Sequence, residues 1–194
     1  MRRRPAQGQA GTARPRAHAM VIVSAGLLLW RRRGHDSRGS APASPPESIE
    51  VLLVHLGGPF WRNRDQGAWF IPKGEALPGE SLLRTARREF GEETGFSSPE
   101  EPVRDDASSP YLPLGAARVS HGKRVVIFAF EGDCDPARLR SNTFAMEWPP
   151  RSGRMGTFPE VDRAAFFPLA AAQAVIHPSQ RVFLDRLARQ LRPK

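Results

Sequence analysis

The chain has 194 residues, of which 40% are hydrophobic, so it can bury one core but is too short for two of ordinary size. A single cysteine, Cys134, excludes an intramolecular disulfide framework and fits a reducing cytosol. The formal net charge of +9 would suggest a nucleic-acid partner only if it were spread over the folded body.

The positive charge is concentrated at the N-terminus. Residues 1–38 contain nine arginines and one acidic residue, Asp36, and so carry +8 of the +9, which leaves residues 39–194 close to neutral. The charge therefore does not indicate a domain that binds nucleic acid. Residues 1–19 have almost no large apolar side chains, so we predict either a disordered basic arm or an over-extended start ahead of a domain at residues 20–194.

The first apolar segments predict two strands. Residues 21–30 and 49–55 are rich in Val, Ile and Leu, a composition typical of buried strands. Residues 20–30 follow several arginines, as in a signal peptide, but they are too few to span a bilayer. We therefore expect neither export nor a membrane anchor. Residues 34–48 are rich in Pro and Ser and predict a mobile loop inserted into the domain.

The strongest helix signal covers residues 80–94. Apolar side chains recur there at helical spacing, at Leu83, Ala86 and Phe90. Gly95 follows directly, and glycine readily adopts the left-handed backbone that commonly ends a helix. These features together predict an amphipathic helix with a defined C-terminus.

The rest of the chain predicts further strands and two helical pieces. We expect strands at residues 68–71, 114–120, 124–131, 143–148 and 161–167. Residues 170–191 predict two helical pieces that are split near residues 177–178. Strands and helices that alternate irregularly suggest one α/β domain with helices on both faces of a sheet.

Three glutamates on the predicted helix indicate a metal site. Glu89, Glu92 and Glu93 stand at i, i+3 and i+4, which places their carboxylates on one helix face. Like charges this close repel one another, and a divalent cation removes the repulsion. Oxygen ligands of this kind suit Mg²⁺ or Mn²⁺. The residues alone leave open the alternative of a solvated acidic face paired with nearby arginines.

The spacing of the whole segment matches a known motif. Residues 74–96, GEALPGESLLRTARREFGEETGF, fill every position of a Nudix box, and the chain resembles the Nudix hydrolase superfamily from about residue 20 onward. The segments GGPFW at residues 57–61 and EWPPRSG at residues 147–153 are similar to a bacterial branch of predicted NTP pyrophosphohydrolases. The resemblance implies an α/β/α sandwich with a mixed β-sheet.

The resemblance also implies roles for residues of the box. The metal ligands would be Glu89, Glu92 and Glu93, together with the backbone carbonyl of Gly74. Arg88 would hold a carboxylate in position, since a guanidinium can bind a carboxylate through two parallel hydrogen bonds.

The roles of Glu80, of Lys73 and of the general base are open to more than one interpretation. Glu80 either supports the catalytic centre or stabilises the start of the helix through its dipole. Lys73, directly before the box, is expected near the phosphates of a substrate. Four carboxylates are candidates for the general base: Glu92, Glu93, Glu147 and Glu160. Glu160 is a candidate for a metal ligand as well, with an ordinary loop acid as the alternative.

The resemblance and the carboxylate cluster together predict a cytoplasmic, Mg²⁺-dependent pyrophosphohydrolase. Its substrate would be a nucleoside diphosphate linked to another moiety, such as an NTP or a dinucleoside polyphosphate. The expected partner is this small nucleotide, and both a monomer and a homodimer are open. Two alternatives are an RNA 5′-end pyrophosphohydrolase, in which the arginine arm holds RNA, and a Nudix module that senses a nucleotide without cleaving it.

Overall fold

A computed structural model describes residues 22–32, 49–100, 109–120 and 123–192. The predicted arm at residues 1–19 and the predicted mobile loop at residues 34–48 lie outside the described residues. The described part contains these strands: β1 Ile22–Arg32, β2 Ile49–Leu56, β3 Trp69–Phe70, β4 Lys73–Glu75, β5 Leu112–Ser120, β6 Lys123–Glu131, β7 Thr143–Glu147, β8 Met155–Pro159 and β9 Val161–Pro168. It also contains three α-helices: α1 Leu82–Thr94, α2 Leu169–Val175 and α3 Arg181–Gln190.

Seven of these strands form one mixed sheet. The order β3-β2-β1-β6-β5 runs across it, with β4 paired to β1 and β9 paired to β2. β1 and β6 run parallel from Ile22↔Lys123 to Trp30↔Glu131, whereas the other pairs of this sheet are antiparallel. The predicted mixed β-sheet is confirmed.

Apolar side chains alternate between the two faces of the sheet, as the period of a strand requires. From β1, Leu28 and Trp30 point into a core beneath α2 and α3, and Leu27 and Leu29 point into a core beneath α1. The helices complete these cores with Leu169, Ala172, Phe183, Leu184 and Leu187 on one face and Ala86 and Phe90 on the other. This arrangement confirms the predicted α/β/α sandwich.

Helix α1 has the two ends that its sequence favours. The side chain of Ser81 accepts a hydrogen bond from the backbone N–H of Arg84 at 3.2 Å, so the helix begins at Leu82, two residues later than predicted. Gly95 ends it with a left-handed φ of 72° and donates its N–H to Gly91. Among the described residues, none of the helices combines the length and the apolar character that crossing a membrane requires.

Two strands were absent from the sequence prediction. β4 is only three residues long and largely polar, and it pairs with β1 through Ala25↔Gly74. β8 pairs with β7 in a separate two-stranded sheet. Its sequence MGTFP contains a glycine and a proline, residues that are depleted in strands, so its pairing with β7 decides its conformation.

Candidate active site

The strand before the box and the box helix meet at a cluster of carboxylates. β4 lies on β1, and α1 packs against the same two strands. The backbone N–H of Lys73 donates to Oε2 of Glu93 at 2.9 Å. This contact joins the helix to the sheet at the cluster.

Gly74 is the point at which β4 approaches the helix most closely. A Cβ atom at this position would lie 2.0–2.2 Å from the carboxylate atoms of Glu89. Only glycine leaves that carboxylate in its place. The two predicted ligands Glu89 and Gly74 are therefore neighbours, while their binding of a metal stays a prediction.

Replacing Gly74 by alanine should preserve the fold and impair the site. The new methyl group displaces the Glu89 carboxylate, which is the end of a flexible side chain, so we expect an unchanged melting temperature. Because a displacement of about 1 Å can cost about a hundredfold in rate, kcat should fall by about tenfold to a hundredfold. Gly91→Ala is the matched control, since its Cβ would meet its nearest neighbour at 3.9 Å. Equal kcat values for the two variants would contradict this placement of Gly74.

Arg88 is bonded to several oxygen acceptors at once. Its Nε and Nη2 donate to the two carboxylate oxygens of Glu80, each at 3.0 Å. Its Nη1 donates to Glu89 at 2.7 Å and to Glu92 at 3.1 Å, and Nη2 also reaches the carbonyl of Glu75 at 3.1 Å. The bond to Glu80 is the largest of the effects that raise the pKa of Arg88 above its ordinary value. Arg88 thus orients two of the predicted metal ligands.

Glu80 lies before α1 and faces the cluster. Its side chain is 9% exposed, and besides Arg88 it accepts hydrogen bonds from Thr85 Oγ1 at 2.9 Å and from the N–H of Leu77 at 3.3 Å. The hydrogen bond from Arg88 is the main cause that lowers the pKa of Glu80 to about 2. These contacts favour support of the site over stabilisation of the helix start. Thr85 was not singled out from the sequence, although its position three residues before Arg88 places both on one helix face.

Replacing Glu80 by glutamine should lower stability at neutral pH but not in acid. The folded pKa of about 2 lies below the ordinary value of 4.5, so the carboxylate stabilises the fold above that ordinary value and loses this contribution as the pH falls toward 2. Thermal melts between about pH 7 and about pH 3 should show the largest difference from the native protein at the upper end. Glu100, whose side chain is 90% exposed and pairs with Arg87, provides the control Glu100→Gln, for which we expect little difference at any pH. A Glu80→Gln deficit that grows in acid would contradict the pairing.

Burial and repulsion raise the pKa of two of the glutamates. The pKa of Glu93 rises to about 7, first because of burial and then because of Glu89 and Glu160, while Lys73 acts in the opposite direction. Burial also raises the pKa of Glu89, against the effect of Arg88. The surroundings therefore disfavour two charged carboxylates, and a bound cation would remove that penalty.

The two base candidates outside the helix lie in different places. Glu160 connects β8 to β9, with its N–H bonded to the carbonyl of Asn142 and its carbonyl bonded to the N–H of Gly57, both at 2.8 Å. Its charge contributes to the raised pKa of Glu89 and of Glu93, which indicates that its carboxylate lies near the cluster. The carboxylate of Glu147 instead accepts the N–H of Gly153 at 2.7 Å, inside the turn between β7 and β8.

The residues present fit a hard divalent cation in their chemistry. In the described part of the chain, no three His, Cys, Asp or Glu side chains are already arranged around one point as metal ligands; Glu89 and Glu92 both face Nη1 of Arg88 instead. Carboxylate oxygens are nevertheless the donors that Mg²⁺ prefers. Glu92 is 43% exposed, and the Cβ-free backbone of Gly74 forms a cradle at Glu89.

Lys73 carries its charge between the cluster and an aromatic pair. Its Nζ lies 5.6 Å from the centroid of the Phe70 ring, and Phe70 stacks on His177 with centroids 5.0 Å apart. The charge of Lys73 lowers the pKa of Glu93, and it adds to the effect of burial in lowering the pKa of His177. Contact of Lys73 with a substrate phosphate stays a prediction.

Comparison with known proteins supplies a family model and several relatives. The model of the NUDIX domain matches residues 13–187. The bis(5′-nucleosyl)-tetraphosphatase [asymmetrical] of Sus scrofa is 34% identical over 79 residues, which cover 41% of this chain and 46% of that protein. The match thus spans less than half the length of this curated relative.

Solved structures resemble the fold. A C. elegans Ap4A hydrolase binary complex has a TM-score of 0.51 at 18% identity and covers 88% of this chain and 98% of its own. The MutT protein from Methanosarcina mazei Go1 has a TM-score of 0.51 at 19% identity and covers 90% of this chain and 97% of its own. Both likenesses concern the fold alone.

Proposed function

Because the chain belongs to the NUDIX domain family, we propose that it hydrolyses a phosphoanhydride bond in a nucleoside diphosphate linked to another moiety. An NTP and a dinucleoside polyphosphate are the two leading forms of this substrate. The observation that carries the proposal is the junction of β4 and α1, where Glu89 lies against Gly74 and Glu93 accepts the N–H of Lys73. The pig tetraphosphatase, which is similar over part of the chain, supports the same substrate class.

We assign the binding of Mg²⁺, or of Mn²⁺ in its place, to Glu89, Glu92, Glu93 and the carbonyl of Gly74. When bound, the ion would neutralise phosphate charge and help to activate water. The raised pKa of Glu93 and of Glu89 supports this assignment, since Lys73 and Arg88 do not fully offset the partial burial of the two carboxylates, and a bound cation would.

Residues of the chain itself hold the carboxylates and the substrate in position. Arg88 holds Glu89 and Glu92 while Glu80 holds Arg88, so these carboxylates are kept together at the cluster before substrate arrives. Lys73 offers an ammonium group beside the cluster, where a phosphate of the substrate would sit.

Two carboxylates are the leading candidates to take a proton from the attacking water. Glu93 lies at the junction of β4 and α1, where burial raises its pKa to about 7 in the absence of a cation. Glu160 is exposed and lies at the edge of the cluster, where water has access. Glu147 is a weaker candidate, because its carboxylate is engaged by Gly153.

A substrate panel tests the proposal. The native chain is incubated with NTPs, a dinucleoside tetraphosphate and nucleoside diphosphate sugars, with Mg²⁺, with Mn²⁺ and with a chelator. We expect metal-dependent release of phosphate, pyrophosphate or a nucleotide from at least one compound and none in the chelator. If no compound is hydrolysed with either metal, the proposal that the chain is a hydrolase is wrong. Nucleotide binding without turnover would then favour the sensing module.

A further inference from the structure

The hairpin of β7 and β8 carries an apolar face of its own. The register pairs Phe144 with Phe158 and Met146 with Gly156, and these positions are half-buried while the residues between them are exposed. Trp148, one residue past β7, continues the same face. Because this hairpin is not part of the seven-stranded sheet, its apolar face does not belong to either core.

Backbone bonds attach the base of the hairpin to the carboxylate cluster. The N–H of Asn142 donates to the carbonyl of Glu92 at 3.3 Å. Glu160 follows β8 at the same base of the hairpin. Its N–H donates to the carbonyl of Asn142, and its carbonyl accepts the N–H of Gly57, both at 2.8 Å. The hairpin therefore rises directly from the site at which hydrolysis is proposed.

A turn at residues 57–61 faces the apolar side of the hairpin. Gly58 has a φ of 88°, and a Cβ there would lie 3.1 Å from the ring of Phe144. Farther out, Phe60 and Trp148 meet edge to face, with ring centroids 5.1 Å apart and planes at 83°. Phe60 remains 54% exposed, since an edge-to-face partner leaves most of a ring face uncovered. A large apolar ring is thus held in place yet open to solvent.

Four arginines lie on the two loops that carry these rings. Arg62 and Arg64 lie on the turn that bears Phe60, and Arg151 and Arg154 lie at the tip of the hairpin; all four are exposed. Within the described ranges, none of them forms an ion pair with an acidic side chain. The guanidinium of Arg64 lies 5.8 Å from the centroid of the Trp61 ring. Exposed arginines on the loops that carry an open aromatic ring complement an anion that carries a flat ring.

The tip that presents two of these arginines is held by its own hydrogen bonds. The N–H of Trp148 donates to the carbonyl of Arg154 at 2.8 Å, and the N–H of Gly153 donates to Glu147 at 2.7 Å. Arg151 adopts a φ of 63°, a left-handed conformation that is uncommon for residues other than glycine. Arg151 and Arg154 therefore lie on a loop with a defined conformation.

We propose that Phe60 and Trp148 form the site for the nucleobase of the substrate, with Phe60 as the stacking surface and the exposed arginines of the two loops as positive charge that attracts the anionic nucleotide. The inference rests on the proposed function and gives it a substrate class: a nucleotide recognised by its base as well as by its phosphates. Stacking accepts any base, because every base has a π-face.

The length of the hairpin agrees with this assignment. The ladder from Thr143↔Pro159 to Glu147↔Met155 covers four residue steps, about 13 Å at about 3.3 Å per residue. A nucleotide that stacks on Phe60 at the outer end extends its phosphates toward Glu160 and the cluster at the base. The bond cleaved is then one remote from the base, as in a polyphosphate chain.

The test separates recognition of the base from recognition of phosphate. ATP and inorganic tripolyphosphate, which has no base, are titrated by calorimetry into the native chain and into Phe60→Ala, both in a chelating buffer that prevents turnover. Since stacking on an aromatic side chain is worth about 1–3 kcal/mol per base, Phe60→Ala should weaken ATP binding about fivefold to a hundredfold. Binding of tripolyphosphate should be unchanged.

Two further variants serve as controls for the Phe60→Ala result. Phe60→Tyr keeps an aromatic ring and should retain the native affinity for ATP. Met155→Ala removes another exposed apolar side chain of the same hairpin, 69% exposed, and should have no effect. Equal losses for ATP and tripolyphosphate, an unchanged ATP affinity in Phe60→Ala, or no ATP binding by the native chain would overturn the base site.

The base site and the hydrolase can fail separately. ATP that binds through Phe60 but is not cleaved with Mg²⁺ or Mn²⁺, alongside an inactive substrate panel, would support the base site and remove the proposed function. A nucleotide that is cleaved with the same KM by native and Phe60→Ala protein would preserve the hydrolase and overturn the base site.

Discussion

Replacing Glu93 by glutamine is expected to abolish most of the hydrolytic activity while the chain still folds. The amide oxygen can accept the N–H of Lys73 as Oε2 of Glu93 does at 2.9 Å, so the junction of β4 and α1 survives. The negative charge needed for a metal ligand or a base is lost. A lost metal ligand costs several kcal/mol of transition-state stabilisation, and each tenfold in rate corresponds to about 1.4 kcal/mol. We therefore expect kcat to fall by about a hundredfold or more, measured on the best compound of the substrate panel.

Thermal stability provides the folding control for Glu93→Gln. The pKa of Glu93 is raised to about 7 from an ordinary value of 4.5, so its charged form destabilises the fold as the pH rises through this interval. In a chelating buffer at about pH 8, the variant should therefore melt no lower than the native chain. Native-like kcat in a variant that folds normally would remove Glu93 from the catalytic assignment.

The position of the carboxylate cluster followed from spacing, because a helix fixes which residues share a face. Glu89, Glu92 and Glu93 lie on α1 as predicted, and Gly74 lies against Glu89 because its missing side chain leaves room there. The pairing of Arg88 with Glu92 is the i, i+4 contact that helix spacing allows, whereas its bonding to Glu80 could not be derived from spacing, since Glu80 lies outside the helix.

Only one strand of the β7–β8 hairpin could be predicted from the sequence. β7 was predicted from its residues, but β8 reads MGTFP, and a strand that contains Gly and Pro is recognised only through its partner. Without β8 there was no reason to bring Trp148 near Phe60, two residues that are 88 positions apart in the chain. The alternation of apolar residues in TFAMEW was the available signal, since it places Phe144, Met146 and Trp148 on one face.

Replacing Arg88 by lysine should impair the site although the charge is unchanged. Arg88 uses Nε, Nη1 and Nη2 to bind Glu80 at two points and to hold Glu89 and Glu92. A lysine has one nitrogen and cannot reproduce that fork. Residues that orient metal ligands typically contribute about tenfold to a hundredfold to activity or metal affinity, so we expect a fall of that size in kcat and in the affinity for Mn²⁺ measured by titration.

Arg87→Lys is the matched control for Arg88→Lys. Arg87 stands on the same helix and bonds to Ser98 and Glu100, outside the carboxylate cluster, so its replacement should change kcat and Mn²⁺ affinity by less than about twofold. Both variants keep the net charge and the helix propensity, because arginine and lysine are equally good helix formers. Any difference between them therefore reports the geometry of the fork at Glu80 and Glu89. Equal effects of the two substitutions would mean that Arg88 contributes only its charge, and the proposed alignment of the metal ligands would lose its support.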